Sequence, residues 1–347
     1  MQIIPLILAL FLSLHGFQKK SLSPGGALTA FLVGYGSLSG GLWAFGNTLI
    51  GFYLIGSRAT KYGKQRKAKL EDGYHEAGYR TGWQVLCNSA AGIAAAAVWN
   101  GMFVPNSVHA WILERVGLGV GTGIVYGETV WCPLDKQIAE GWSRALVFAA
   151  VGHYGCCLGD TLASELGILS RGRPRLVTTF QPVPPGTNGG MSVGGTLASV
   201  FGGVLVGVLT GLTLVSENAR CRDDWSSVLL STLLWGAFSG FFGSLIDSLM
   251  GATLQQTRYS EAKKVILQDE SKAEGPVKVI SGFNILTNNQ ACPVSFIPTD
   301  FLTIRRSTSY LRCAHRQWQG SCHGHRGDDV GEMTRPEEMY FQYKENP

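Results

Sequence analysis

The sequence has few charged residues for its length. Lysine, arginine, aspartate and glutamate make up 15% of its 347 residues, whereas they make up about 25% of an ordinary soluble domain. No charged residue occurs between residues 191 and 216, and a helix needs about 20 apolar residues to cross the hydrocarbon layer of a membrane. The composition therefore excludes a generic soluble enzyme and indicates a membrane protein.

Three common signatures are also missing. The eight cysteines include no Cys-x-x-Cys pair of the kind that binds structural zinc. The apolar residues 1–17 are followed, not preceded, by lysines and lack a small-residue cleavage site, so we interpret them as an uncleaved membrane helix. A glycine-rich loop at residues 182–190 lacks the Lys-Ser or Lys-Thr ending of a Walker A motif. We therefore expect no zinc finger, cleaved leader or Walker A nucleotide site.

Apolar segments alternate with polar loops and predict an all-α, polytopic integral membrane helix bundle of about six or seven membrane segments. Residues 27–56 are apolar for longer than one span needs, and Gly40 and Gly41 divide them, which predicts a helical hairpin. Further spans are predicted at residues 85–103, 145–169, 191–216 and 225–254.

The membrane domain is expected to cover residues 1–290, with residues 104–142 as an extramembrane excursion and a possible insertion. Residues 291–347 are polar and lack periodicity, which predicts a disordered tail. Two loops, residues 57–82 and 170–190, carry an excess of lysine and arginine. Since such loops stay in the cytosol, the count of spans places both on that side and the excursion on the other.

Two motifs place acidic residues inside predicted spans. Asp160 and Glu165 lie in the first, and Asp247 lies in the second, where Asp-Ser-Leu echoes the Asp-Thr-Leu that begins at Asp160. An ionised carboxylate in hydrocarbon is costly unless it is paired, hydrated or metal-bound. Because Mg²⁺ prefers one or two carboxylates together with substrate phosphates, we predict these three acids to be catalytic residues and Mg²⁺ ligands.

Each acidic motif also has a purely structural interpretation. Asp160 could cap the N-terminus of a helix after a break in the span. Gly243, Ser248 and Gly251 could instead form a small-residue surface on which helices pack. Both interpretations remain open from the sequence.

A basic segment and a glycine-rich loop precede the span at residues 191–216, where backbone N–H groups near a helix N-terminus can bind phosphate. The candidate phosphate- or substrate-binding residues are Arg171, Arg173, Arg175, Gly186, Thr187, Asn188 and Gly189, with Asn88 in an earlier span. The alternatives are an ordinary turn, arginines that only mark topology beside the membrane, and an asparagine that links helices.

Four motifs in this order resemble the transmembrane protein 19 family, a group of multi-span membrane proteins. They are Gly-Asp-Thr-x-x-Ser-Glu at 159–165, Pro-Pro-Gly-Thr-Asn-Gly-Gly at 184–190, Asp-Ser-x-x-Gly-Ala-Thr-x-Gln at 247–255, and Asn288-Asn289. The resemblance extends from about residue 14 to residue 290. After Gln290 the sequence departs from the family, which continues with a last apolar helix where this chain is polar.

The family includes a plant phytyl-phosphate kinase. The resemblance therefore implies transfer of a phosphoryl group from a nucleoside triphosphate to an isoprenoid monophosphate, and it adds Asn288 and Asn289 to the candidate substrate-binding residues. Membrane lipid is an expected partner, nucleic acid is not, and an endomembrane location is favoured. The alternatives are a non-catalytic membrane transporter or scaffold, and an inactive isoform truncated at the departure.

Overall fold

Helices form most of the regular structure, in agreement with the predicted all-α membrane bundle. The structure, a computed structural model, describes residues 3–67, 70, 79–170, 172–267 and 275–285. The predicted tail at residues 291–347 thus lies outside the described residues. The helices are α1 (Ile3–Gln18), α2 (Pro24–Leu38), α3 (Trp43–Lys61), α4 (Lys64–Lys67), α5 (Gly82–Cys87), α6 (Ala90–Phe103), α7 (Val108–Arg115), α8 (Trp142–Gly167), α9 (Val193–Glu217), α10 (Ala219–Asp223) and α11 (Trp225–Leu254).

The predicted hairpin is confirmed, because α2 ends at Leu38 and α3 begins at Trp43. The first N–H groups of a helix have no partner within it, and α3 has no side-chain cap at its N-cap residue. The carboxylate of Glu217, at the end of α9, instead accepts from the N–H groups of Trp43 at 2.8 Å and Ala44 at 3.3 Å. This contact ties the hairpin to the core of the bundle.

The predicted span at residues 85–103 is interrupted, so the expectation of one continuous helix was wrong. Helix α5 begins with a capping box between Thr81 and Gln84 and ends at Cys87, and α6 begins at Ala90. The Ser89 hydroxyl donates to the carbonyl of Val85 at 2.8 Å. Serine and asparagine side chains compete for backbone hydrogen bonds in this way and thereby favour helix ends.

Three helices are long and apolar enough to cross a membrane among the described residues: α8 with the turn before it, α9 and α11. Small residues line their mutual contacts, which lets the backbones approach closely. A Cβ atom added to Gly159 of α8 would lie 2.7 Å from the Cα of Gly240 in α11 and 2.9 Å from the carbonyl oxygen of Ser199 in α9. The three backbones therefore meet one residue before Asp160.

The described residues of the two basic loops lie at one end of this bundle, which we call the basic end. There Lys67 bonds to Glu165, and Gly63 contacts Leu169. At the opposite end, which we call the disulfide end, Cys132 of the excursion is bonded to Cys221 of α10. The structure thus places both basic loops at one end, as the count of spans predicts, whereas the disulfide was not predicted.

Short antiparallel strands were also not predicted. Strands β1 (Arg175–Leu176) and β2 (Gly190–Met191) pair within the second basic loop. Strands β3 (Thr257–Ser260), β4 (Val265–Leu267) and β5 (Val277–Ser281) form a sheet in the order β4-β3-β5 after α11. The first sheet lies in the segment between α8 and α9, and the second lies in the segment after α11.

Candidate acidic site between helices α8 and α11

Asp160 and Asp247 lie together where α8 and α11 pack side by side. The two helices run in parallel, because Gly155 contacts Ser239 and, further along both, Gly243 contacts Cys156. One helical turn beyond this second contact, the two aspartates face each other. Their carboxyl groups are within hydrogen-bonding reach. The echo between the two motifs in the sequence therefore corresponds to a contact in space.

The helix-capping interpretation of Asp160 is wrong. Asp160 lies inside α8, which continues without a break to Gly167. No helix begins at Asp160, so its side chain cannot cap a helix N-terminus. The small-residue interpretation of the second motif, by contrast, agrees with the structure. Gly243 packs against Cys156, and Gly251 packs against Asn188 and Gly189. Close helix packing is thus the means by which the two aspartates are brought together.

Glu165 does not join the aspartates. Its Oε2 atom lies 2.6 Å from the Nζ atom of Lys67, whose side chain is fully buried. The same ammonium group donates to the carbonyl oxygens of Ala59 at 3.1 Å and Thr60 at 3.5 Å. The three acids expected to share one site are therefore divided between an aspartate pair and a separate ion pair.

The aspartate pair suits a magnesium ion only in part. In the part of the chain that the structure describes, no group of three or more histidine, cysteine, aspartate or glutamate side chains could hold a metal. Magnesium nevertheless binds through one or two carboxylates when substrate phosphates and water complete its shell. Two carboxyl groups in contact also require a proton or a cation between them, since their negative charges repel. The pair fits this smaller set of ligands.

The glycine-rich loop packs against α11 directly after Asp247. A Cβ atom added to Gly189 would lie 2.6 Å from the carbonyl oxygen of Ser248, and Gly189 has φ +76°, which only glycine adopts readily. The N–H group of Asn188 donates to the Thr257 hydroxyl at 3.1 Å, and that of Thr187 donates to the Pro184 carbonyl. The loop is therefore a turn that supports the end of α11, as the structural alternative predicts, with Gly186 (φ +86°) at its tip.

The arginines before this loop are spread out. Arg173 is exposed, and the Nη1 atom of Arg175 donates to the carbonyl oxygen of Phe180 at 3.0 Å. Arg171, Asn288 and Asn289 lie outside the described residues. The structure thus brings Asp160, Asp247 and Gly189 to one region but does not gather the predicted arginines around them.

Asn88 lies elsewhere, at the interruption between α5 and α6, where it lines a cavity together with Arg80. Two residues near the sites were not assigned a role from the sequence. Lys67 was counted only among the charges of its loop, although a buried acid such as Glu165 calls for a cationic partner. Arg80 is likewise only one of the charges counted in residues 57–82.

Comparison with known proteins identifies relatives along most of the chain. Residues 7–298 match the family described as "Integral membrane protein DUF92". Protein PGR of Arabidopsis thaliana is 36% identical over 301 residues, which cover 87% of this chain and 94% of that protein. An uncharacterized membrane protein of Synechocystis is 28% identical over 68% of this chain and 73% of its own length. One of Methanocaldococcus jannaschii is 37% identical over 42% of this chain and 60% of its own length.

No solved structure matches the chain significantly. The family match includes both aspartate motifs and the glycine-rich loop, so the family resemblance predicted from these motifs is confirmed. The chain belongs to the DUF92 family of integral membrane proteins.

Proposed function

We propose that this membrane protein transfers a phosphoryl group from a nucleoside triphosphate to an isoprenoid monophosphate. The contact between Asp160 and Asp247 is the observation that supports it best. Two carboxyl groups in an apolar bundle are costly to maintain, and helix packing through glycines holds them together here. Phosphoryl transfer depends mainly on positioning and charge neutralisation, which a rigid pair of acids on parallel helices is suited to provide.

Asp160 and Asp247 would hold Mg²⁺, which when bound neutralises charge on the phosphates. The packing of Gly159 against Gly240 fixes the two carboxyl groups relative to each other. The loop at Gly186 and Gly189 supports the end of α11, and the exposed Arg173 would offer a positive charge to phosphate at the same end of the bundle. Glu165 acts indirectly in this proposal, because its ion pair with Lys67 anchors the basic loop to α8.

We also propose an endomembrane location. Disulfides form in oxidising compartments such as the lumen of the endoplasmic reticulum and are rare in the cytosol. The bond between Cys132 and Cys221 lies at the end opposite the basic loops, and basic loops remain cytosolic. In the proposed location the aspartate site, near the basic end, would lie on the side where nucleotides are available.

The test is an assay of the purified full chain with farnesyl, geranylgeranyl and phytyl monophosphates and with radiolabelled ATP or CTP. Formation of a labelled prenyl diphosphate that requires Mg²⁺ is the expected result. If no combination yields product although the protein remains folded, the kinase proposal is wrong. Measuring proton or cation flux in liposomes with the same preparation then tests the transporter alternative.

A further inference from the structure

Helix α7, in the excursion, has an apolar face that points away from the protein. The large side chains of Val108, Trp111 and Ile112 are between 46% and 57% exposed. Residues three and four positions apart lie on one face of a helix, so these three side chains form a single stripe. His109, on another side of the helix, is buried. A surface helix in water turns its apolar side inward instead, and a contiguous apolar surface marks contact with a membrane or a partner.

Two contacts fix the level of α7 along the bundle. The Nε2 atom of His109 donates to the carbonyl oxygen of Gly36 at 2.7 Å, and Leu113 packs against Gly101. Gly36 lies in the last turn of α2, and Gly101 lies in the last turn of α6. Each glycine is thus about 3 Å along the helix axis from the end of its helix. Helix α7 therefore lies beside the ends of two apolar helices rather than beyond them.

Tryptophans mark the same end of the bundle. Three helices that run from the disulfide end toward the basic end begin with this residue, namely Trp43 of α3, Trp142 of α8 and Trp225 of α11. Tryptophan is enriched at the level where the hydrocarbon layer of a membrane meets the head groups. The side chains of Trp225 and Trp111 are equally exposed, at 57%. These positions indicate that the membrane interface crosses the bundle at the level of α7.

We propose that the outward face of α7 lies in lipid, in the head-group region of the leaflet at the disulfide end. The partner is a lipid surface because the apolar stripe lies level with the tryptophans that begin the spanning helices. Trp111 occupies the boundary between head groups and acyl chains, and the guanidinium group of Arg115, 4.9 Å from the centre of the Trp111 ring, extends toward the phosphates. The inference is independent of phosphoryl transfer.

The experiment attaches an environment-sensitive fluorophore to single cysteines of the full chain in phosphatidylcholine vesicles. Serine first replaces Cys292, Cys313 and Cys322. Ile112→Cys then carries the fluorophore on the outward face of α7. Leu32→Cys, at a position in α2 that is 58% exposed, is the control for the hydrocarbon layer. Asp223→Cys, at a position on α10 that is 71% exposed, is the control for water.

Iodide in the water at the disulfide end should quench the fluorophore at Asp223→Cys severalfold more strongly than the one at Ile112→Cys. A nitroxide on the lipid head group should quench Ile112→Cys most, and a nitroxide in the middle of the acyl chain should quench Leu32→Cys most. The reason is that the apolar face of an interfacial helix enters the boundary by only about 5–10 Å. Equal quenching of Ile112→Cys and Asp223→Cys by iodide would overturn the proposal. Protection of Ile112→Cys from iodide and from both nitroxides would also overturn it, because a second copy or another protein would then cover α7.

A variant tests the anchoring role of Trp111. Trp111→Asp places a charge in the stripe and should raise iodide quenching at Ile112→Cys toward the value at Asp223→Cys, because a charged side chain is costly in lipid. Glu114→Gln, which changes an exposed residue of α7 outside the stripe, is the matched control and should leave quenching unchanged. Equal quenching in the two variants would contradict the anchor.

A second measurement uses the unmodified chain, in case a labelled variant does not fold. Phosphatidylcholine with a photoreactive group on its head group should cross-link to the peptide that contains residues 108–116. Cross-links that form at Trp225 but not in this peptide would contradict the placement of α7 in the interface.

Discussion

A buried lysine and a mostly buried glutamate hold the basic loop against helix α8. Lys67 is fully buried, and the side chain of Glu165 is only 18% exposed. Removing one member of a buried pair leaves the other charge without compensation, whereas replacing both by apolar residues is often tolerated. The pair therefore couples two segments that are 98 residues apart in the chain.

Lys67→Met should lower the free energy of unfolding by about 3–5 kcal/mol, because the mostly buried Glu165 carboxylate loses the ammonium group that lies 2.6 Å from it. The double variant Lys67→Met, Glu165→Leu should recover most of this loss. Thermal unfolding of the purified protein in detergent, followed by intrinsic fluorescence, measures both effects. Asp223→Asn is the control, since Asp223 and its partner Arg220 are 71% and 60% exposed and such pairs add little. A double variant no more stable than Lys67→Met would contradict the coupling.

Asp160→Asn and Asp247→Asn should each fold normally and lose phosphoryl transfer about a hundredfold or more, the effect of removing a group that stabilises transition-state charge. Asparagine nearly preserves the shape of the side chain while it removes the negative charge that would bind the metal. Initial rates at saturating substrate, together with a thermal melt, separate activity from folding. Asp135→Asn, at an exposed acid near the disulfide end, should leave the rate unchanged. Full activity in either site variant would refute a shared metal site.

At the scale of elements, helices α9 and α11 approach through glycines that permit no side chain. A Cβ atom at Gly203 would collide with the carbonyl group of Gly236, and one at Gly207 would lie 2.8 Å from the Cα of Leu233. Backbone atoms cannot move aside as a flexible side chain can, so an added methyl group must push the helices apart. The position of Asp247 relative to Asp160 depends on this packing.

Gly203→Ala should therefore destabilise the protein by about 1–3 kcal/mol, the usual cost of overpacking. Gly34→Ala in α2 is the matched control, because its Cβ atom would meet only Ala9, at 3.6 Å. Alanine also favours a helix over glycine, so the control should melt at the same temperature or slightly higher. Equal melting temperatures for the two variants would show that the contact between α9 and α11 is looser than described.

The sequence predicts much of this architecture. The placement of Gly40 and Gly41 predicts the hairpin, and the lengths of the apolar segments predict the spans that correspond to α8, α9 and α11. The meeting of Asp160 and Asp247 was expected from their matching motifs. The interruption at Asn88 was not predicted, because local hydrogen bonding by Ser89 competes with the apolar pattern of the segment. Two other contacts join residues that are far apart in the chain: the ion pair of Glu165 with Lys67 and the disulfide between Cys132 and Cys221. Both depend on the tertiary structure, so the spacing of these residues in the sequence does not predict them.

At the scale of the whole molecule, the two ends of the bundle have different chemistry. The basic end carries the loops rich in lysine and arginine. At the disulfide end, the bond between Cys132 and Cys221 links the excursion to α10. At that second end the side-chain amide of Asn218 donates to the carbonyl of Trp131 at 2.9 Å, and Glu217 caps α3. The aromatic rings of Trp99, Phe103 and Trp131 pack beside these contacts. We expect this asymmetry to orient the molecule, with the basic end on the cytosolic side of the membrane.

Lys61 and Arg173 are exposed positions of the two basic loops. Cysteines placed there by Lys61→Cys and Arg173→Cys should react with a membrane-impermeant maleimide from the same side of sealed vesicles. The reason is that loops rich in lysine and arginine remain on the cytosolic side. Asp223→Cys, on α10, should react only from the other side. The background for all three replaces Cys292, Cys313 and Cys322 by serine, and vesicles opened with detergent supply the control for total reactivity. Labelling of the two basic positions from opposite sides would refute the predicted topology.

The bond between Cys132 and Cys221 closes a ring in the chain, because it joins two residues whose sequence separation is 89. That ring contains all of α8 and α9, and therefore Asp160 and the glycine-rich loop, but not Asp247. A protease that cuts the exposed segment at Arg173 would consequently open the ring without releasing a fragment. The two pieces would migrate as one species until a reductant separated them, so a nicked molecule retains both aspartates in a single covalent unit.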